Sequence, residues 1–552
     1  MSNALMDMYV KCGSILKAEE VFDCITSRDL ISWNTQISGF MLSGDNGRVF
    51  SLFDRMRREG QQPDNVTFVS GLKACGKICA TKKGTKLHAE IARRGSFESD
   101  VHMSNALMDM YVKCGSILKA EEVFDCITSH DLISWNTLIS GFMLSGDNGR
   151  VFSLFDRMRR DGILPDNVTF VSGLKACGKI CATKKGTKLH AEIARRGSFE
   201  SDVLMSNALM DMYVKCGSIL KAEEVFDCIT SHDLISWNTL ISGFMLSGDN
   251  GRVFSLFDRM RREGQQPDSA TFASGLKACG KICATKKGTK LHAEIARRGS
   301  FESDVLMSNA LMDMYVKCGS ILKAEEVFDC ITSHDLISWN TLISGFMLSG
   351  DNGRVFSLFD RMRREGQQPD SATFASGLKA CGKICATKKG TKLHAEIARR
   401  GSFESDVLMS NALMDMYVKC GSILKAEEVF DCITSHDLIS WNTLISGFML
   451  SGDNGRVFSL FDRMRREGQQ PDSATFASIL RCCSQAVQME RCELLLESMG
   501  KYFGISPSLK HYTCVIGLLA RCGCLHQAIK SFNSTLRKGN ITHHEYIQVR
   551  VE

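Results

Sequence analysis

The sequence predicts an all-α fold, a right-handed superhelical α-solenoid of about sixteen helix–turn–helix units, and three observations predict it. The segment SNALMDMYVKCGSILKAEEVFDCITS begins at Ser2, Ser104, Ser206, Ser308 and Ser410, a period of 102 residues. Proline is scarce, six in 552 residues, well below the usual share of about 5%. That scarcity disfavours loop-rich β folds and Pro-rich scaffolds and favours helices. Within each period the apolar residues recur at helical spacing, and no strand-like alternation persists. A length of 552 would otherwise suggest three or four domains, but here it measures copies of one repeat.

The 102-residue period divides into three units of 31, 35 and 36 residues, each two helical patterns joined by a polar turn. In the 31-residue unit, 101–131, Ala106, Leu107, Met110 and Tyr111 form the first stripe. Lys113, Cys114, Gly115 and Ser116 make the turn, and Ala120, Val123 and Phe124 the second stripe. In the 35-residue unit, 132–166, Leu132, Trp135, Leu138, Ile139 and Phe142 share one face of LISWNTLISGFMLSG. Gly146, Asp147, Asn148 and Gly149 make the turn, and Val151, Leu154, Phe155 and Met158 face inward from the second helix. Gly162 then stands where a left-handed C-terminal residue is wanted, with Pro165 beyond it. The 36-residue unit is 167–202. One helix pair cannot bury its own apolar face, so successive pairs must stack, first helices lining the inner surface.

These blocks, SWNTLISGF, SNALMDMYVKCGS, AEEVFD and QQPD, resemble plant pentatricopeptide repeat (PPR) proteins, and the length order 31, 35, 36 is similar to the S, P and L motifs of their PLS subclass. Tetratricopeptide repeats, with a uniform 34-residue period and a W-x-x-L-G-x-x-Y spacing, fit poorly. The resemblance implies a continuous array over 1–539. Its S motifs are 1–29 (two residues short), 101–131, 203–233, 305–335 and 407–437. Its P motifs are 30–64, 132–166, 234–268, 336–370 and 438–472, and its L motifs 65–100, 167–202, 269–304, 371–406 and 473–508. An S-like unit, 509–539, and a non-repeat tail, 540–552, follow.

Arrays of this family read one base of single-stranded RNA per repeat with two or three side chains, and the resemblance places that reading on the fifth and last residues of a motif. The fifth residue of every S and P motif is Asn: Asn3, Asn34, Asn105, Asn136, Asn207, Asn238, Asn309, Asn340, Asn411 and Asn442. The last is Asp: Asp29, Asp64, Asp131, Asp166, Asp233, Asp268, Asp335, Asp370, Asp437 and Asp472. An amide offers a donor and an acceptor to the Watson–Crick edge of a pyrimidine, and the Asp can orient it, directly or through water. By resemblance the pair prefers uridine, with the second residue (Ile133 or Leu204) against the base. L motifs carry Val69, Val171, Ala273, Ala375 or Ala477 at the fifth position, which cannot read a base edge. The implied target is U-U-N repeated. A plainer reading of the same residues is an exposed Asn and an Asp that caps the next helix.

Charge is compatible with a polyanion: 68 basic and 62 acidic residues, net +6. Arg55, Arg57, Arg58, Lys82, Lys83, Lys86, Arg93 and Arg94 lie on second helices, which the fold turns outward, so they read mainly as a solvated face. The 24 cysteines read as reduced and mostly buried, since disulfide frameworks belong to short secreted chains. No run of about 18 apolar residues suggests a membrane span. His88-Ala-Glu90 matches half of a zinc deaminase signature, but P-C-x-x-C is missing. Cys75 with Cys79, and Cys522 with Cys524, lack the four convergent ligands of a zinc site.

The sequence therefore predicts no catalysis, no cofactor and no metal. The expected function is sequence-specific binding of U-rich single-stranded RNA in a mitochondrion or chloroplast, in C-to-U editing or another processing step, with any deaminase or editing cofactor acting in trans. The alternatives are a protein-binding helical scaffold and a truncated fragment of a longer editing factor. Met1 aligns with Met103, so the chain is expected to begin at an internal methionine. The E and DYW segments common in the subclass find no match in NITHHEYIQVRVE.

Overall fold

The computed structural model describes residues 2–95, 99–197, 201–299, 304–401 and 406–524, and among them every regular element is an α-helix, 31 in all. The second half of the S-like unit and the tail, from 525 onward, lie outside the described residues. The chain forms two compact units, Met1–Ser274 and Gly275–Glu552.

One period shows why the helices start and stop where they do. The helix Leu132–Ser145 is capped by Asp131, whose carboxylate accepts from the Ser134 N–H. It ends at Gly146, at φ 90°, a left-handed conformation that costs glycine nothing. Asp147 at once caps Asn148–Arg160. The turn is thus shorter than the four residues expected, because Asn148 and Gly149 already belong to the second helix. At its far end Gly162 takes φ 78° and the Ile163 N–H reaches back to the Met158 carbonyl, closing a Schellman motif.

Within each unit, successive first helices pack on one another. Leu30–Ser43 lies on Asn65–Lys77, which lies on Val101–Lys113, which lies on Leu132–Ser145. Among the described residues the backbones of second helices approach closely only those of first helices, and second helices meet one another through long side chains. The closely spaced layer is therefore the inner one and the second helices fan outward. Long ion pairs bridge the outer layer: Arg48 to Glu19 at 2.6 Å, Arg55 to Asp23 at 3.0 Å and Arg57 to Glu90 at 2.5 Å. Exposed pairs of this kind contribute little singly.

The core is built from the predicted stripes. Trp135, Leu138, Ile139, Phe142, Val151, Leu154, Phe155 and Met158 are all buried. The Trp135 ring meets Phe124 edge-on at 4.8 Å, and His130 stacks on Phe124 at 4.0 Å, tying a 31-residue unit to the following 35-residue unit. The cysteines correct the expectation of general burial. All 24 are free, but only seven are buried, among them Cys75, and ten are exposed. Cys24 and Cys126 close second helices at the solvent end of a hairpin, and Cys79 sits in a turn.

Candidate nucleic-acid interface

The site begins with the N-terminal turns of the first helices. Asp131 and Asp166 each stand just before such a helix and accept its orphan N–H groups: Ser134 N–H at 2.7 Å and Thr169 N–H at 2.9 Å. The plain capping role is therefore real. The same carboxylates also reach across to the preceding first helix. Asn105 Nδ2 donates to Asp131 at 3.1 and 3.3 Å, and Asn136 Nδ2 to Asp166 at 3.0 and 3.1 Å.

All ten Asn–Asp pairs named from the sequence meet directly, with N···O distances of 3.0–3.3 Å. Asn442 alone donates to a single oxygen of its Asp472. A third group, not foreseen from the sequence, completes each pair. The hydroxyl of the third residue of the next motif shares its one proton between the Asn carbonyl and the capping carboxylate: Ser134 lies 2.7 Å from Asn105 Oδ1 and 2.8 Å from Asp131, and Thr169 lies 2.6 Å from Asn136 Oδ1 and 2.7 Å from Asp166. Carboxylate on one side and hydroxyl on the other leave each amide one free N–H and one free lone pair.

The carboxylates stay charged. Burial pushes Asp166 up, but the Thr169 N–H, the Thr169 hydroxyl and the Asn136 amide outweigh it and hold the group below its usual 3.8. Asp64, Asp131, Asp268, Asp370 and Asp472 follow the same balance. At Asp29 the Ser32 hydroxyl is the largest influence, and it lowers the group.

The ten amides differ in access. Asn34, Asn136, Asn238, Asn340 and Asn442, in the 35-residue units, are half-buried. Asn105, Asn207, Asn309 and Asn411, in the 31-residue units, are only 7–9% exposed. The second-position residues Ile133 and Leu204 are 57% and 68% exposed, one helical turn before the amide. At the fifth position of the 36-residue units, Val69, Val171, Ala375 and Ala477 are half-buried and offer no polar group.

Most of the expected basic residues are engaged within the protein. Arg55 meets Asp23 and Glu59, Arg57 meets Glu90, and Arg94 meets Glu90 and the Pro63 carbonyl. Lys83 lies over the Phe50 ring at 4.2 Å. Sequence reasoning passed over another set. Lys73, Lys175, Lys277, Lys379 and Arg481 are exposed on the first helices of the 36-residue units, four residues beyond the apolar fifth position and so on its face. Among the described residues none of them forms an ion pair, whereas the S-motif Lys113 is held by Asp109 at 2.7 Å. The signal was in the sequence: the last copy reads SILRCCSQ where the others read SGLKACGK, yet it keeps a cation there.

The half-signature of a deaminase is tied up in packing. His88 Nδ1 lies 2.9 Å from the Tyr111 hydroxyl, and burial lowers its pKa, while Glu90 pairs with Arg57 and Arg94. Burial pushes the Cys75 thiol up to about 11. Among the described residues no three His, Cys, Asp or Glu side chains are grouped to hold a metal ion.

Comparison with known proteins agrees with this architecture. Residues 28–77, 130–179, 232–281, 334–383 and 436–485 match the PPR repeat family. Residues 1–30, 102–132, 205–234, 307–336 and 409–438 match the PPR repeat. A chloroplastic pentatricopeptide repeat-containing protein of Arabidopsis thaliana is 36% identical over 533 residues, 96% of this chain and 60% of that protein. A mitochondrial one from the same plant is 33% identical over 530 residues, 96% of this chain and 76% of that protein. The chain thus spans less than two thirds of the first relative's length. The crystal structure of the pentatricopeptide repeat protein PPR10 from maize superposes with a TM-score of 0.67 at 19% identity, over 97% of this chain and 83% of that one. PPR10 in complex with an 18-nt psaJ RNA element superposes at 0.64, over 96% and 83%, again at 19% identity. At that identity the likeness is one of fold.

Proposed function

This chain belongs to the pentatricopeptide repeat family, and from that premise we propose that it binds single-stranded RNA along its first helices, one nucleotide per motif. The observation that carries the reading is the set of ten amides, each held between a carboxylate and a hydroxyl with a donor and an acceptor left over. A uracil edge offers the complement, N3–H to the amide oxygen and a ring carbonyl to the amide nitrogen. The capping role of the Asp does not compete with this, because one carboxylate serves both.

The motif lengths 31, 35 and 36 support the PLS subclass. Apolar fifth positions in the L motifs leave every third nucleotide unread, so the proposed target is U-U-N repeated, a uridine-rich tract. The maize protein is named in complex with RNA, and relatives are named as chloroplastic or mitochondrial. These names support an organellar RNA-binding role. Within it, recognition of C-to-U editing sites, with a deaminase supplied in trans, is the reading that the subclass favours. The chain itself acts as a binder rather than an enzyme.

A gel-shift titration with U-rich and A-rich single strands tests the proposal. Tighter binding of the U-rich strand is expected, and Asn136→Ser should weaken uridine preference at one position only. Equal binding of both strands would remove base reading and favour a protein-binding scaffold.

A further inference from the structure

We infer that the hydroxyl at the third position of the following motif is a positioning residue for base choice, selecting uracil over cytosine by locking the amide that reads the base. This rests on the RNA-reading function proposed above and names what sets its specificity.

The geometry recurs at all ten Asn motifs. Ser32, Ser134, Ser236, Ser338 and Ser440 hold the S-motif amides at 2.7–2.8 Å. Thr67, Thr169, Thr271, Thr373 and Thr475 hold the P-motif amides at 2.6–2.7 Å. The Thr169 hydroxyl accepts from the Asp166 N–H at 3.0 Å, so its proton is confined to two acceptors, Asn136 Oδ1 and Asp166 Oδ1.

Helix capping accounts for only part of this: the Thr169 hydroxyl closes a capping box by accepting the Asp166 N–H, whereas the Ser134 hydroxyl closes none and meets the amide all the same. After each complete L motif that leads into a full S motif, the third residue is Met103, Met205, Met307 or Met409, and the capping Asp accepts its N–H at 3.1 Å just as well. The hydroxyl is absent at the junctions where the preceding motif has Val or Ala in place of the reading Asn.

The chemistry gives the hydroxyl a task. Uracil presents N3–H beside a carbonyl, while cytosine presents a bare N3 beside an amino group. An amide can serve either base, but only with its nitrogen and oxygen exchanged. The Asp holds the nitrogen end. The hydroxyl holds the oxygen end and stops the amide from tilting about that single anchor.

The test uses the full chain with a U-U-A repeat strand and the same strand carrying cytosine at one position at a time, comparing wild type, Thr169→Val and Thr169→Ser. Valine keeps the shape and removes the hydroxyl. The expected result is that uracil-over-cytosine preference at the Asn136 position falls roughly five-fold in Thr169→Val, the factor equivalent to about one hydrogen bond. Cytosine affinity should not fall, and Thr169→Ser should restore the preference. A merely structural role would lower both affinities together, and that result, or an unchanged ratio, overturns the inference. If Thr169→Val fails to fold by circular dichroism, Ser134→Ala, read at the Asn105 position, decides by the same ratio. Wild type that shows no preference for the U-rich strand would sink the parent function; wild type that prefers uracil with an unchanged variant ratio would sink only this inference.

Discussion

Gln36 occupies the place that Leu138 fills one repeat later. Both are completely buried, and neither Gln36 Oε1 nor Nε2 has a hydrogen-bond partner among the described residues. Leu240, Leu342 and Leu444 complete the series, each at 0% exposure. A buried amide without partners costs about 1–3 kcal/mol, so Gln36→Leu is expected to stabilise the N-terminal hairpins by roughly 2 kcal/mol. Urea unfolding, with amide hydrogen exchange in the helix Leu30–Ser43, checks it, and Leu138→Gln should lose about as much. Slower exchange is expected in Gln36→Leu; faster exchange would mean that the glutamine amide is satisfied.

Stability should fall in two steps on acidification. Burial and the neighbouring Lys221 hold His190 below its ordinary 6.5, and His88, His292 and His394 sit in the same environment. The folded chain resists protonation that the unfolded chain accepts, so this contribution is complete above about pH 6.5 and declines as pH falls below it. The ten capping Asp residues, held below 3.8, add a second loss as pH falls through their lowered range. Thermal melts between pH 7.5 and 2 should show both, and replacing the four histidines with Gln should flatten the first. An unchanged first step in that variant would place it elsewhere.

How far the sequence reached can be read from individual residues. Asn136 and Asp166 were singled out only through the resemblance, which marks the fifth and last residues of a motif; periodicity and Pro165 by themselves placed them no further than the first helix and the end of the unit. The Thr169 hydroxyl was not, because it comes from the next motif and reads locally as part of a helix cap. Exposed Cys126 was misjudged as buried because composition says nothing about which end of a hairpin a residue occupies.

Lys73, Lys175, Lys379 and Arg481 lie on the layer that carries the amides, exposed and outside any ion pair among the described residues. On single strands each neutralised phosphate contributes a salt slope of about 0.7. Changing these four to Gln should therefore lower the slope of log affinity against log salt by about 3, equally for U-rich and other strands. Lys82, Lys184 and Lys388, exposed on second helices, serve as the comparison: their Gln variants should leave the slope unchanged. Equal effects from both sets would place the phosphates elsewhere than on the first helices.

Val487 holds φ 56° just past the end of the helix Ser473–Gln485, while the Gln488 N–H reaches back to the Cys483 carbonyl. This is the Schellman position that Gly162 fills beyond the helix Asn148–Arg160. A β-branched residue there clashes with its own backbone, a strain of about 1–2 kcal/mol. The side chain is 52% exposed, so removing it loses little packing. Val487→Gly gives up some entropy in the unfolded chain, about 0.5–1 kcal/mol, and should still stabilise the C-terminal hairpins by roughly 1 kcal/mol. Val487→Ala keeps a Cβ and should gain much less. Chemical denaturation of the two variants beside wild type separates the cases: equal midpoints for glycine and alanine would mean that side-chain bulk, not the left-handed backbone, is the source of strain.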